Sequence, residues 1–157
     1  MKVDPAAYHR RVREGPCFVC EIVDGRSPHH VVYEDERAIA FLNRYPTTIG
    51  YTLVAPREHR VDVVRDFAET EFLELQRVVH RVGLAVCSAV ETERLYVLSL
   101  GSNQGNAHVH WHLFPLPPGV PYEQQQLVAL DWDEGRKVLD LDDDQQAELA
   151  ATIRAAL

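Results

Sequence analysis

The sequence predicts an α+β fold: an antiparallel sheet of about five strands with one long helix packed across it, plus N- and C-terminal helices. Three observations carry this. Three short apolar runs between residues 31 and 55, separated by turn residues, follow one another too closely for parallel crossovers. Residues 68–90 repeat apolar side chains every three or four positions, the period of a helix. Residues 108–114 alternate strictly between histidine and apolar residues, the period of a strand.

Taken in order, residues 5–14 read as a short helix, with Asp4 as its cap and Pro5 at its first position, ended by Gly15-Pro16. After Asp24-Gly25-Arg26-Ser27-Pro28, the runs Val31 to Tyr33 and Ala38 to Leu42 form a hairpin around Glu34 to Arg37. A third strand runs from Tyr51 to Ala55 and is stopped by Pro56. The long helix follows, about Ala68 to Val90, with Phe72, Leu75, Val79, Val82 and Val86 on one face. Its early Glu69, Glu71 and Glu74 suit the helix dipole, and Gly83 is its weak point. Leu95 to Leu100 is a fourth strand, hairpin-paired with the histidine strand after the loop 101–106. Tyr122 to Trp132 reads as a short helix or irregular cover, and Asp142 to Gln145 resembles a capping box before a C-terminal helix bearing Leu149, Ile153 and Leu157.

The chain has 157 residues, 46% of them hydrophobic, which is enough for one domain with a real core. Its net charge of −8 argues against a nucleic-acid partner held by phosphate neutralisation, though a small nucleotide in a locally positive pocket stays open. No apolar run is long enough for a membrane span, and Met1-Lys2-Val3-Asp4-Pro5 does not start a signal peptide. Three cysteines do not make a secreted disulfide framework. We expect a cytoplasmic protein with no membrane partner.

The alternating stretch His108-Val109-His110-Trp111-His112-Leu113-Phe114 is the centre of the chain. In a strand the three imidazoles share one face about 7 Å apart, while Val109, Trp111 and Leu113 anchor the other. Pro115 should end the strand. A solvated polar face or a surface metal site is the competing reading. A metallo-hydrolase His-x-His strand wants Asp and another His next, where Leu113 and Phe114 stand; a cupin wants a nearby Glu, where Phe114, Pro115 and Leu116 stand. Cys17-x-x-Cys20 is open by itself among a redox pair, a strained disulfide and half of a zinc site.

The pattern His-φ-His-φ-His-φ-φ, with φ apolar, resembles the signature of the histidine triad (HIT) family over all seven residues. The resemblance covers about residues 17–115 and includes Tyr33-Glu34-Asp35, Ala40-Phe41-Leu42 and Gly50-x-Leu-Val-x-Pro56. It implies one HIT-type domain over 1–157, with 116–157 an extension bordering the site. It also implies a structural zinc on Cys17, Cys20, the His59 of Pro56-x-x-His59, and His108, as in one branch of the family. The middle histidine, His110, is the implied nucleophile toward an α-phosphorus, with His112 supporting charge on the phosphate. Asn43 stands at the ribose-binding position, and Asn103, Gln104, Gly105 and Tyr51 fall at substrate-side positions. The sequence departs from the family at Tyr51, where His is usual, at Gly105, where a small hydroxyl residue is usual, and at Ser99, where Asn is common. The implied activity is a nucleotide hydrolase acting on nucleoside phosphoramidates or dinucleoside polyphosphates through a nucleotidyl-histidine. The alternatives are a nucleotidyltransferase or phosphorylase sharing that intermediate, and a zinc-stabilised nucleotide-binding protein with little turnover. A homodimer is expected.

Overall fold

The computed structural model describes residues 4–100, 107–131 and 138–157. Helices α1 (Pro5–Glu14) and α2 (Phe18–Val23) lead into β1 (Val31–Glu34), β2 (Ala38–Leu42) and β3 (Thr52–Pro56). Helix α3 (Glu69–Ala89), β4 (Arg94–Leu98) and β5 (Trp111–Leu116) follow, then a 3-10 turn (Tyr122–Gln124), α4 (Leu127–Leu130) and α5 (Asp143–Ala155). The five strands form one antiparallel sheet in the order β1-β2-β3-β5-β4. This is the expected fold class.

Local chemistry explains the element ends. The Asp4 carboxylate accepts the Ala6 N–H at 2.9 Å and caps α1. Asp35 closes the β1–β2 hairpin by accepting the N–H groups of Arg37 and Ala38, both at 2.8 Å. At α3, where Ala68 has no side chain to cap with, Glu71 reaches back to the Ala68 N–H at 2.9 Å. Asp142 and Gln145 make the reciprocal capping box of α5 at 2.8 and 3.0 Å. Gly83 is no accident: a Cβ there would stand 3.0 Å from Leu95 Cδ2, so it lets α3 approach β4.

The sheet has two covered faces. One packs Val32, Ala40, Val54, Trp111 and Leu113 against Leu75, Val79, Val82 and Val86 of α3, with Ile153 of α5 alongside. The other packs Phe41, Leu53, Phe114 and Leu116 against Val19 and Ile22 of α2 and Ala129 of α4. The tail therefore wraps the sheet, with α4 on one face and α5 on the other. It also holds the β2–β3 loop, since Thr47 Oγ1 donates to the Ala129 carbonyl and Leu139 N to the Pro46 carbonyl. Among the described residues, no helix is long and apolar enough to cross a membrane.

The structure corrects several boundaries. The histidine strand begins only at Trp111, so His108 and His110 precede the ladder. Their backbone groups are engaged elsewhere: the Val109 N–H donates to the Arg60 carbonyl, and the His110 carbonyl accepts from Ser99 Oγ. Pro115 does not end the strand, which runs to Leu116. The Leu116 carbonyl accepts from Glu93 N on the β4 side, so the Pro115 nitrogen faces the β3 side. There pairing has already ended at Thr52–Leu113, and no donor is missed. β3 starts at Thr52 and includes Pro56, and β4 spans Arg94 to Leu98 rather than reaching Leu100. The helix α2, unforeseen in the sequence, occupies the segment that carries the cysteine pair.

Candidate active site and metal centre

Four side chains from distant parts of the chain meet at the end of β3. Cys17 sits at the N-cap of α2, Cys20 within it, His59 three residues past Pro56, and His108 just before β5. Cys17 Sγ lies 3.3 Å and Cys20 Sγ 3.6 Å from His108 Nδ1, and Cys20 Sγ lies 3.3 Å from His59 Nδ1. All four ligand atoms fall within 4.8 Å of one another. Zinc bonds sulfur at about 2.3 Å and nitrogen at about 2.0–2.1 Å, which in a tetrahedron sets ligand atoms about 3.3–3.8 Å apart. The three sulfur–nitrogen spacings of 3.3, 3.6 and 3.3 Å fit that ion. His108 is fully buried, and its Nε2–H donates to the Pro56 carbonyl at 2.9 Å, leaving the Nδ1 lone pair turned to the sulfurs. Burial, with Cys17 beside it, pushes the Cys20 thiol up to about 11, so metal binding there must displace a proton.

His110 is 3% exposed. Its Nδ1–H donates to the His108 carbonyl at 2.7 Å, so Nε2 carries the lone pair. Burial holds its pKa below the usual histidine range, in the neutral, nucleophilic form. Phe18 of α2 packs edge-on to the ring at 5.6 Å between centroids, joining the metal cluster to the imidazole. His112, 4.8 Å from His110 between centroids, is pulled down to about 3 by burial first and by His110 second. Its Nδ1 meets the Tyr51 hydroxyl at 2.6 Å.

The remaining sequence candidates fall as follows. Asn43 lies just after β2, its Oδ1 accepting the Tyr45 N–H at 2.8 Å and its backbone N–H donating to the Tyr51 carbonyl at 2.8 Å. Asn103, Gln104 and Gly105 lie outside the described residues. His29, taken as surface or local packing, is half-buried edge-on to Phe41 at 5.5 Å, and His30 bonds Asp143 at 3.0 Å. Sequence reasoning missed Phe18 and the Pro56 carbonyl, and it expected a backbone carbonyl on His110 without being able to name that of His108. Val19 and Ile22, three apart and both buried, were the signal for the helix that places Phe18. The carbonyls leave no trace in residue type.

A five-stranded antiparallel sheet with one long helix, three histidines at alternate positions and a Cys2His2 cluster at the first of them defines the zinc-type histidine triad class. The HIT domain model matches residues 24–118, and the chain belongs to this family. An uncharacterized HIT-like protein of Saccharolobus solfataricus is 33% identical over 102 residues, 63% of this chain and 73% of the relative. A hypothetical histidine triad nucleotide-binding protein of Sulfolobus tokodaii superposes with a TM-score of 0.72 at 28% identity, over 89% of this chain and 91% of that one. A zinc-bound histidine triad family protein of Mycobacterium smegmatis does so with a TM-score of 0.69 at 26% identity and the same coverage.

Proposed function

We propose that the protein is a nucleotide hydrolase in which His110 attacks the α-phosphorus of a nucleoside phosphoramidate or dinucleoside polyphosphate. The observation that carries this reading is the buried, neutral His110 with its Nδ1–H committed to a carbonyl and its Nε2 lone pair available. As the N–P bond forms, the bond to the leaving group breaks and that group departs with the electron pair. Water then attacks phosphorus, the N–P bond breaks, and a nucleoside monophosphate is released. His112 bonds the non-bridging oxygens as charge builds on them. Asn43 is the proposed ribose-binding residue, and Asn103, Gln104, Gly105 and Tyr51 are the further substrate-side residues that the family resemblance implies.

Cys17, Cys20, His59 and His108 hold a structural zinc, which ties α2 and the β3 end to the triad segment. Burial of His108 and its bond to Pro56 fit it for that duty rather than for chemistry. The protein acts in the cytoplasm as a homodimer. Support for pairing comes from the edge position of β4 and from exposed Leu84 on α3 and Val97 on β4. Val97→Asp should then yield a monomer by light scattering.

The test is incubation of purified protein with a panel of nucleotides, with and without inorganic phosphate, and products resolved by mass. Monophosphate formed equally under both conditions supports the hydrolase. A product that incorporates phosphate favours the transferase or phosphorylase. Tight binding with no product refutes both and leaves a nucleotide-binding protein.

A further inference from the structure

The sequence marks Tyr51 only as a departure, but the structure gives it a specific partner. Tyr51 is 6% exposed, at the start of β3, and its hydroxyl lies 2.6 Å from His112 Nδ1. A contact of that length needs one proton between the two atoms. The phenol is the stronger donor of the pair and a neutral imidazole nitrogen the stronger acceptor. The phenol proton is then directed at His112 Nδ1, which accepts.

We infer that Tyr51 is a positioning residue: through its hydroxyl it holds His112 in the tautomer with the proton on Nε2, so that a neutral donor stands beside the Nε2 lone pair of His110. The two histidines are thus mirror images. His110 carries its proton on Nδ1 against the His108 carbonyl, and His112 carries its proton on Nε2 because Tyr51 claims the other nitrogen. One presents an electron pair and the other a proton to the same phosphate.

This deepens the nucleotide-transfer reading and rests on it. With Nδ1 occupied by the phenol, His112 offers its Nε2–H to a phosphate oxygen while the N–P bond forms on His110 and the leaving-group bond breaks, the leaving group departing with the electron pair.

The test uses full-length, zinc-loaded protein with 15N-labelled histidine. Long-range 1H–15N correlation reads the tautomer of each ring, and the His112 signals are assigned by their loss in His112→Asn. In the wild type, the proton should sit on Nε2 of His112 and on Nδ1 of His110. Tyr51→Phe, which removes only the hydroxyl, should give His112 a mixture of tautomers and lower kcat about tenfold, the worth of one hydrogen bond, with KM within about twofold. Tyr51→His, which can again present an N–H to Nδ1, should restore the single tautomer and part of the rate. A wild-type His112 protonated on Nδ1, or an unchanged tautomer or kcat in Tyr51→Phe, would each overturn the inference. Absence of turnover on every nucleotide would instead refute the hydrolase reading, and the tautomer measurement separates the two failures.

Discussion

The two faces of the sheet come from the same five strands but are built on different rules. Against α3 the buried cluster is aliphatic apart from Trp111, and its members touch through dispersion and area alone. On the opposite side, His108, His110 and Tyr51 are buried too, yet each of these, with the half-buried His112, has a directional partner: a carbonyl, a sulfur or a hydroxyl. Burial on the first face stabilises without regard to orientation. On the second it removes water so that individual protons stay where their partners put them. Substitutions on the α3 face should thus move stability and leave chemistry alone, and substitutions on the triad face should mostly do the reverse, with the metal ligands changing both.

The largest effect should come from the metal ligands. Cys17→Ser should lose the zinc and lower Tm by roughly 10 °C or more, since a structural zinc contributes folding energy directly. Metal analysis with calorimetry checks this, and a metal-free variant melting with the wild type would break the comparison. Next, Leu75→Ala on the α3 face should cost about 2–5 kcal/mol while zinc content and the rate per folded molecule stay unchanged. Denaturant titration and activity at saturating nucleotide measure both halves.

A third effect is pH-dependent. Above about pH 6.5, His112 is neutral in the folded and unfolded chain and contributes nothing to the slope. Below that, the unfolded chain takes up a proton that the folded site, held down to about 3, refuses. Stability therefore falls as pH drops from 6.5 toward 3. His112→Asn abolishes that difference, so Tm against pH in zinc-loaded protein should be flatter for the variant than for the wild type. Parallel curves would contradict this. The smallest effect belongs to the Arg60–Glu71 ion pair beside α3. Arg60 holds the Glu71 carboxyl down to about 2, so what the pair adds is present above the usual carboxylate range and lost only as pH falls toward 2. At neutral pH, Glu71→Gln should shift Tm by no more than about 2 °C in a thermal melt, because the carboxylate stands in solvent.

Periodicity explains what was legible in the sequence. α1 spans the expected residues 5–14, and β2 the expected Ala38 to Leu42, because caps, prolines and apolar runs mark both ends. The four metal-ligand candidates were legible as residue types in the family's order and spacing, and they do come together in the structure. Illegible were features set by backbone groups from elsewhere. Alternation put the three histidines on one face, but whether they join a ladder depends on Arg60, Ser99 and their own carbonyls. The role of Tyr51 depends on His112, 61 positions away, and no local pattern records that.

The central claim is that the middle histidine, and not its neighbour, forms the bond to phosphorus. Protein incubated with an α-phosphate-labelled nucleotide can be quenched in alkali, where the N–P bond survives, then digested and mapped by mass. The account predicts label on His110 in the wild type and none in His110→Ala, which should bind zinc normally and show no turnover. Label on His112, or near-wild-type turnover by His110→Ala, would contradict it.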